Sequence, residues 1–151
     1  MTGSLVKVLF ELNPEDWHSG GTETLWATPL GEGIFRLENS PFYAPQFSYL
    51  DEVLAEFDPE HGFYVVRKTV KKSGHSTYLL RVTNGIESNG LFSTYWEPLE
   101  RIGCTFERAD GTLLSVDVPK NTDNHEAYRL MESGEMARAW DFQEQDVGHA
   151  V

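Results

Sequence analysis

Apolar and polar residues alternate in short runs through the first half of the chain. In residues 6–12 the apolar side chains occupy every second position, which is the pattern of a β-strand with one buried face. Similar runs, separated by turn residues such as Gly31-Glu32-Gly33, occupy residues 24–28, 34–39, 47–57 and 63–70. Because none of these runs has helical spacing, the pattern predicts a small barrel or curled sheet in an N-terminal β-rich half, residues 1–72.

From residue 73 the pattern changes, because strand-like and helix-like segments now follow one another. Alternation predicts four strands, at residues 75–82, 104–108, 112–118 and 140–144. Two helices are predicted by apolar residues at helical spacing between 91 and 102 and by the capping pair Asp123 and Glu126. The order β-α-β-β-α-β is that of the ferredoxin-like fold, in which two helices cover one face of a four-stranded antiparallel sheet.

Several residues are expected to end or interrupt these elements. Gly103 is a stop signal for the first helix, and Pro98 inside it is expected to kink the helix or divide it into two pieces. Ser133-Gly134 is expected to break the second helix, and Ala109-Asp110-Gly111 predicts a hairpin between two strands.

The whole pattern predicts an α+β protein with two closely packed halves. The N-terminal barrel-like half, residues 1–72, is expected to pack on the ferredoxin-like half, residues 73–151. Since no Gly-, Ser- or Pro-rich linker separates them, we expect one compact unit.

Composition narrows the classes of function. The 151 residues carry 12 Lys and Arg against 24 Asp and Glu, a formal charge of -12, which disfavours nucleic acid as a partner. The charge favours a protein partner with a basic surface. No apolar run approaches the ~20 residues of a bilayer-crossing helix, and the N-terminus lacks the pattern of a secretion signal. The single cysteine, Cys104, excludes an internal disulfide, so a cytoplasmic location is expected.

The segment Ser73-Gly74-His75-Ser76-Thr77 is the densest group of chemically capable side chains. His75, Ser76 and Thr77 could supply a base and a nucleophile, or the segment could be a hairpin turn whose hydroxyls bond to nearby backbone groups. Neighbours on a strand point to opposite faces, so His75 is expected to share a side with Thr77 and not with Ser76.

Two charged surfaces are candidate binding sites. Residues 61–86 contain no acid, so their basic residues could dock an anionic partner or guard a strand edge; they are Arg67, Lys68, Lys71, Lys72 and Arg81. Acidic residues crowd the C-terminal part, where they could meet a basic partner or form a solvated helix face; they are Glu132, Glu135, Asp141, Glu144 and Asp146.

Histidines and aromatic residues offer weaker signals. The five histidines, His18, His61, His75, His125 and His149, show no metal-binding spacing, and no nucleotide-binding motif is present, so neither a metal nor a cofactor is expected. Most of the large aromatic residues are expected in the core, among them Trp17, Trp26, Trp96 and Trp140. Cys104 is expected there as a small apolar residue.

Several stretches of the chain together resemble a bacterial domain family of unknown function, numbered four-two-six-five. They are residues 6–12, 23–33, 39–44 and 73–78, with Trp140-Asp141-Phe142 and Val147-Gly148-His149 near the C-terminus. The resemblance covers nearly the whole chain. It implies a small cytosolic bacterial protein and supplies no catalytic residues.

The sequence therefore predicts a non-catalytic, acidic, cytosolic binding module, of which an immunity-type inhibitor of a toxin domain is one form. The alternative is a small enzyme or ligand-binding domain centred on residues 73–77. A pocket that holds His75 within hydrogen-bond reach of a carboxylate or hydroxyl would favour this alternative.

Overall fold

The computed structural model describes residues 4–15, 20–86, 90–109 and 111–149. Nine strands and two helices lie within these residues: β1 Val6–Leu12, β2 Gly21–Gly31, β3 Ile34–Leu37, β4 Glu52–Asp58, β5 Phe63–Lys71, β6 Ser76–Val82, α1 Leu91–Arg101, β7 Thr105–Arg108, β8 Leu113–Val118, α2 Asn124–Met136 and β9 Trp140–Val147. Trp17, His18 and Asp110, which entered the predictions above, lie outside the described residues.

Strands β1 to β5 form a closed barrel, which confirms the predicted β-rich half. Consecutive strands pair antiparallel, and β1 closes the barrel by pairing parallel with β5, Val8 opposite Tyr64. Alternate residues of these strands fill the interior, because successive side chains of a strand point to opposite faces. The interior contains Val8, Phe10, Leu25, Ala27, Phe35, Leu37, Val53 and Ala55.

Strands β6 to β9 form a second sheet in the order β7-β8-β6-β9, with every neighbouring pair antiparallel. This order and the position of the two helices in the chain are those of the ferredoxin-like fold, as predicted. Helices α1 and α2 cover one face of the sheet and bury a second core, which includes Tyr78, Leu80, Trp96, Leu114, Met131 and Trp140.

The barrel lies against the other face of this sheet, and polar contacts join the two halves. The Ser115 hydroxyl in β8 is fully buried and donates to the carbonyl of Pro41 at 2.8 Å. The Gln145 side-chain amide in β9 donates to the carbonyl of Phe42, and the Gln145 backbone carbonyl accepts from the backbone N–H of Gln46. Hydrogen bonds thus fix the barrel on the sheet.

Helix ends follow the local sequence, but the predicted division of α1 at Pro98 and the predicted break of α2 at Gly134 are wrong. Asp123 caps α2 and Gly103 follows the end of α1 with a φ of 104°, as expected. Pro98 lies within the single helix α1, whose apolar face is buried, and does not divide it. Tertiary packing of that face outweighs the hydrogen bond that proline cannot make. Gly134 does not break α2, because it lets the helix approach the Trp140 indole, which an added Cβ would overlap.

Of the three tryptophans among the described residues, two lie in the core as predicted and one does not. Trp96 and Trp140 are buried, but Trp26 is 44% exposed on the outside of the barrel, so its predicted core position is wrong. The Lys7 ammonium lies 5.0 Å from its ring centroid, which is the geometry of a cation–π contact. Cys104 is buried as expected, and burial raises the pKa of its thiol to about 12.

Candidate functional site

The polar cluster 73–77 lies at the junction of barrel and sheet, and two of its hydroxyls are used structurally. Ser76 and Thr77 are fully buried. The Ser76 hydroxyl donates to Nδ1 of His149 at 2.6 Å, and Nε2 of His149 donates to the Pro119 carbonyl at 2.8 Å. Burial therefore keeps the Ser76 and Thr77 hydroxyls, two of the predicted catalytic alternatives, away from any ligand.

Thr77 belongs to a second group of polar side chains, which we call the Lys72 network: Ser48, Asp51, Lys72, Thr77 and Asp146. The Ser48 hydroxyl donates to Asp146 and bonds to the Thr77 hydroxyl, both at 2.7 Å. The Lys72 ammonium donates to Asp51 and Asp146 at 2.7 Å and to the Gln46 carbonyl at 3.1 Å. Since an ammonium has three donors, this network is fully satisfied and ties β9 to the barrel.

His75 differs from its neighbours in the cluster, because only one of its ring nitrogens has a partner. Nδ1 lies 2.8 and 3.1 Å from the two carboxylate oxygens of Asp117 in β8. An ionised carboxylate only accepts hydrogen bonds, so the neutral ring carries its proton on Nδ1 and its lone pair on Nε2. Among the described residues, Nε2 has no hydrogen-bond partner.

His75 and Asp117 line a cleft of about 440 Å³ between the two halves. The barrel side supplies Glu38, Ser40 and Tyr49, and the sheet side supplies His75, Glu107 and Asp117. The condition that favours the alternative function, a pocket with His75 bonded to a carboxylate, is therefore met.

Tyr49 lies in a turn and reaches the cleft from there. Because of this turn, β4 begins only at Glu52, and the strand predicted over residues 47–57 is wrong in its first five residues. Leu50 adopts a left-handed φ of 68°, and the Asp51 N–H donates to the Ser48 carbonyl. The Tyr49 ring meets the His75 ring edge-on, with centroids 5.5 Å apart. The Tyr49 hydroxyl has no hydrogen-bond partner among the described residues.

The ionisable groups of the cleft influence one another. Burial raises the pKa of Tyr49, and the negative charges of Glu38, Asp117 and Glu107 raise it further. Burial also raises the pKa of Asp117, which the hydrogen bond from His75 opposes. The shift of the Tyr49 pKa indicates a negative potential in the cleft, and the shift of the Asp117 pKa reflects the burial of that carboxyl group.

Glu107 and Glu38 are held in place by hydrogen bonds from the barrel. Glu107 accepts from the Asn39 side chain at 3.1 Å and from the Ser40 N–H at 2.6 Å, which attaches the end of β3 to β7. Glu38 accepts from Arg36 at 3.0 Å and from the Thr28 hydroxyl at 2.6 Å.

Ser40 is the most enclosed residue of the cleft, with a relative exposure of 2%. Its N–H is bonded, but its hydroxyl has no hydrogen-bond partner within the described parts of the chain. Buried hydroxyls in native proteins nearly always have a partner, so this one calls for an explanation.

The predicted acidic binding residues lie elsewhere. Glu132 and Glu135 are exposed on α2, and Asp141 and Glu144 are exposed on β9. None of the four lines the cleft. Asp146, which belongs to the same run in the sequence, is instead part of the Lys72 network.

The predicted basic residues are divided between the two halves. Arg67 on β5 bonds to Glu56 at 3.1 Å, and Lys68 beside it is exposed. Arg81 lies on the sheet, where its guanidinium donates to the Thr112 hydroxyl at 2.9 Å. The structure therefore does not join Arg67, Lys68 and Arg81 in one cluster.

Most residues of the cleft were missed by sequence reasoning, because they come from separate segments of the chain. Asp117 carried a usable signal: it is the only charged residue in Leu113–Val118, and that strand is buried throughout. A carboxylate in a buried strand needs a partner, so it predicts either a buried ion pair or a functional site.

The described residues contain no cluster of metal-ligating side chains and no helix that could cross a membrane. No three side chains of His, Cys, Asp or Glu are grouped so that they could hold a metal ion. No described helix has the length and apolar composition needed to cross a bilayer.

Comparisons with known proteins extend the description of the fold. A structure titled "Novel crystal structure of a hypothetical protein from Neisseria gonorrhoeae" is similar, with a TM-score of 0.82 over 98% of this chain and 99% of that chain. The two sequences are 19% identical, so this is a likeness of fold. A search of curated proteins finds no match. The profile of a domain of unknown function, DUF4265, matches residues 23–142, and the chain therefore belongs to the DUF4265 family.

Proposed function

We propose that the protein is a ligand-binding domain whose recognition site is the cleft between the barrel and the sheet. One observation carries this proposal: Nε2 of His75 is oriented by Asp117, has no partner among the described residues and lines the cleft. In a folded interior such an atom is costly unless a ligand or water meets it. The cleft thus offers a fixed hydrogen-bond acceptor.

The same arrangement would let His75 accept a proton from a bound molecule. A carboxylate that holds Nδ1–H fixes the tautomer and stabilises the imidazolium that forms when Nε2 is protonated. No described hydroxyl of the cluster at residues 76–77 is accessible to act as a nucleophile, so binding is the function that the geometry supports best.

The test is a fragment screen by NMR, in which the His75 ring resonances report binding to the wild type, and the fragments' own resonances give the affinities for the wild type and for His75→Gln. The control is His125→Gln, since His125 is exposed on α2. We expect fragments that shift the His75 ring resonances, and an affinity at least about tenfold lower in His75→Gln but unchanged in His125→Gln, since tenfold corresponds to about 1.4 kcal/mol. Fragments that bind equally to both variants, or none that reach His75, would contradict the proposal.

A second candidate is the predicted acidic module that binds a basic protein, as an immunity-type inhibitor would. Four carboxylates are exposed on neighbouring elements, on α2 and β9, and Met136 beside them is 85% exposed. Charge of this kind steers a basic partner, and an exposed apolar side chain can anchor it. The expected cytoplasmic location suits either candidate, because a reducing compartment would preserve the free thiol of Cys104.

This candidate is tested with a fourfold variant, Glu132→Gln, Glu135→Gln, Asp141→Asn and Glu144→Gln. The control has the same charge change at exposed residues elsewhere, Glu15→Gln, Glu32→Gln, Glu60→Gln and Glu100→Gln. A basic protein captured at low salt should be lost by the first variant and kept by the control. Equal loss in both would show attraction to net charge alone.

A further inference from the structure

We propose that the ligand of the cleft carries a positively charged nitrogen group, an ammonium or a guanidinium. This inference rests on the proposed function, because it names the chemical class that the same cleft would bind.

The first argument is the balance of charges around the cleft. Its lining includes the carboxylates of Glu38, Glu107 and Asp117 but no Lys or Arg among the described residues. Arg36 offsets Glu38 through a direct ion pair, and Asp117 is bonded to an imidazole. Glu107 receives only neutral N–H donors, so its charge is not offset by a direct ion pair. A cation would be attracted here, and an anion would be repelled.

The second argument is the count of donors and acceptors. In the neutral ring Nε2 of His75 is an acceptor, and the Ser40 and Tyr49 hydroxyls, which have no partner among the described residues, can also accept. Ser40 is the strongest evidence of the three, because its hydroxyl is buried and has no partner among the described residues. An ammonium has three N–H donors and a guanidinium five, so either could satisfy several of these acceptors at once.

The pKa of Tyr49 also indicates that the electrostatic potential in the cleft is negative. The carboxylates of Glu38, Asp117 and Glu107 add to burial in raising the pKa of Tyr49, because they disfavour the tyrosinate. A field that disfavours an added negative charge at this position favours a positive one.

An organic cation fits better than a metal ion. The three carboxylates are already bonded in different directions, to Arg36, to the segment 39–40 and to His75. The described residues contain no group of three metal-ligating side chains that could converge on one ion. An organic cation needs only hydrogen-bond acceptors along the cleft of about 440 Å³, and it does not need three ligands that converge on one point.

The experiment compares three small probes of similar size, propylguanidine, propylurea and butyrate, by NMR of the His75 and Tyr49 rings. We expect propylguanidine to bind, and propylurea and butyrate to bind at least about tenfold more weakly. The reason is that one contact between opposite charges in a partly buried site contributes about 1.4 kcal/mol or more to binding, which corresponds to tenfold in affinity. A neutral or anionic probe that binds His75 as tightly would leave the cleft a ligand site and overturn its assignment to a cation. If no probe of any charge shifts His75, the proposed function and this inference both fail.

Variants identify the groups responsible. Glu107→Gln keeps one acceptor oxygen for the Ser40 N–H, and Asp117→Asn keeps an acceptor for His75. Both should bind propylguanidine about tenfold more weakly, whereas Glu60→Gln, with the same change in net charge at an exposed position between β4 and β5, should bind it unchanged. Thermal unfolding verifies that each variant is folded. An equal loss in Glu60→Gln would overturn the inference, since net charge would then account for the binding.

A free amine and a basic side chain of a protein share this chemistry, and one further arm separates them. A blocked tripeptide, Gly-Arg-Gly, is compared with propylguanidine on the wild type. Binding of the peptide about tenfold tighter supports a protein as the source of the cation, and equal or weaker binding supports a small molecule.

Discussion

The interface between barrel and sheet has two neighbouring regions of opposite character. In the Lys72 network, three acceptors take the three donors of one ammonium, and the Ser48 hydroxyl bonds two partners. In the cleft, Ser40, Tyr49 and His75 each keep a polar atom without a partner among the described residues. Since Ser48 and Tyr49 are adjacent in the chain, one turn serves both regions. Satisfied polar groups here hold the fold together, and the unsatisfied ones lie on the surface that we propose as the ligand site.

His75 and His149, which both lie next to Ser76, show the same difference between a satisfied and an unsatisfied polar group. Both ring nitrogens of His149 are bonded, to the Ser76 hydroxyl and to the Pro119 carbonyl. Among the residues that the structure describes, His75 is bonded through Nδ1 alone, to Asp117. His149 therefore acts as a structural crosslink, while His75 is free to interact with an incoming group.

The largest effect is expected from Lys72→Met, which removes the centre of the Lys72 network. The carboxylate of Asp51 is fully buried and would lose its ion pair. We expect the free energy of unfolding to fall by about 3 kcal/mol, since an uncompensated buried charge is strongly destabilising. Urea denaturation measures the change, with the exposed Lys71→Met as the control. A loss no greater than that of the control would contradict the contrast drawn above.

A smaller loss is expected from Ser48→Ala. The change leaves the Thr77 hydroxyl and a carboxylate oxygen of Asp146 without this bond in a buried place. We expect a decrease of about 2 kcal/mol in the free energy of unfolding, also measured in urea. If Ser48→Ala were neutral, the polar contacts between the halves would not hold them together.

Asp117→Asn sharpens the contrast through pH. Because the pKa of Asp117 is raised in the folded state, the folded protein binds more protons than the unfolded one just above pH ~4, and its stability falls as pH rises there. The asparagine variant lacks this dependence, so its free energy of unfolding should rise relative to the wild type from pH 4 upward. Urea denaturation across pH measures it, with the exposed Asp141→Asn as the control. An opposite slope would mean that the bond from His75 outweighs burial.

The smallest effect is expected from Ser40→Ala, the counterpart of Ser48→Ala in the cleft. Both serines are buried, but the Ser40 hydroxyl has no partner in the described chain to lose. We expect a change within about 0.5 kcal/mol in the free energy of unfolding. A loss comparable to that of Ser48→Ala would show that Ser40 is structural after all.

Local rules were sufficient for most of the fold. The period of the apolar residues predicted the strands, Asp123 caps the start of α2, and Gly103 follows the end of α1, as their chemistry requires. The exceptions are tertiary in origin. Pro98 stays within α1 because the helix is packed on the sheet, and Gly134 stays within α2 because Trp140 lies against it.

The cleft was only partly predictable. His75 stood out from the density of polar residues around it, and alternation placed it on a different side from Ser76. Its partner Asp117 lies on another strand. The pairing of β6 with β8 places Asp117 opposite Thr77 and so brings it close to His75. Ser40 and Glu107 meet only because the barrel packs on the sheet. No local pattern encodes a contact that depends on how two halves dock.

The parallel pairing of β1 with β5 has a consequence for the order of folding. Strand β1 is synthesised first, but one of its two neighbours is the last strand of the barrel. Until β5 is available, one edge of β1 is unpaired, and ring closure must bring together parts of the chain that are far apart in sequence. Such long-range pairings slow folding. We therefore expect the pairing of β1 with β5, which closes the barrel, to limit the folding rate of this protein.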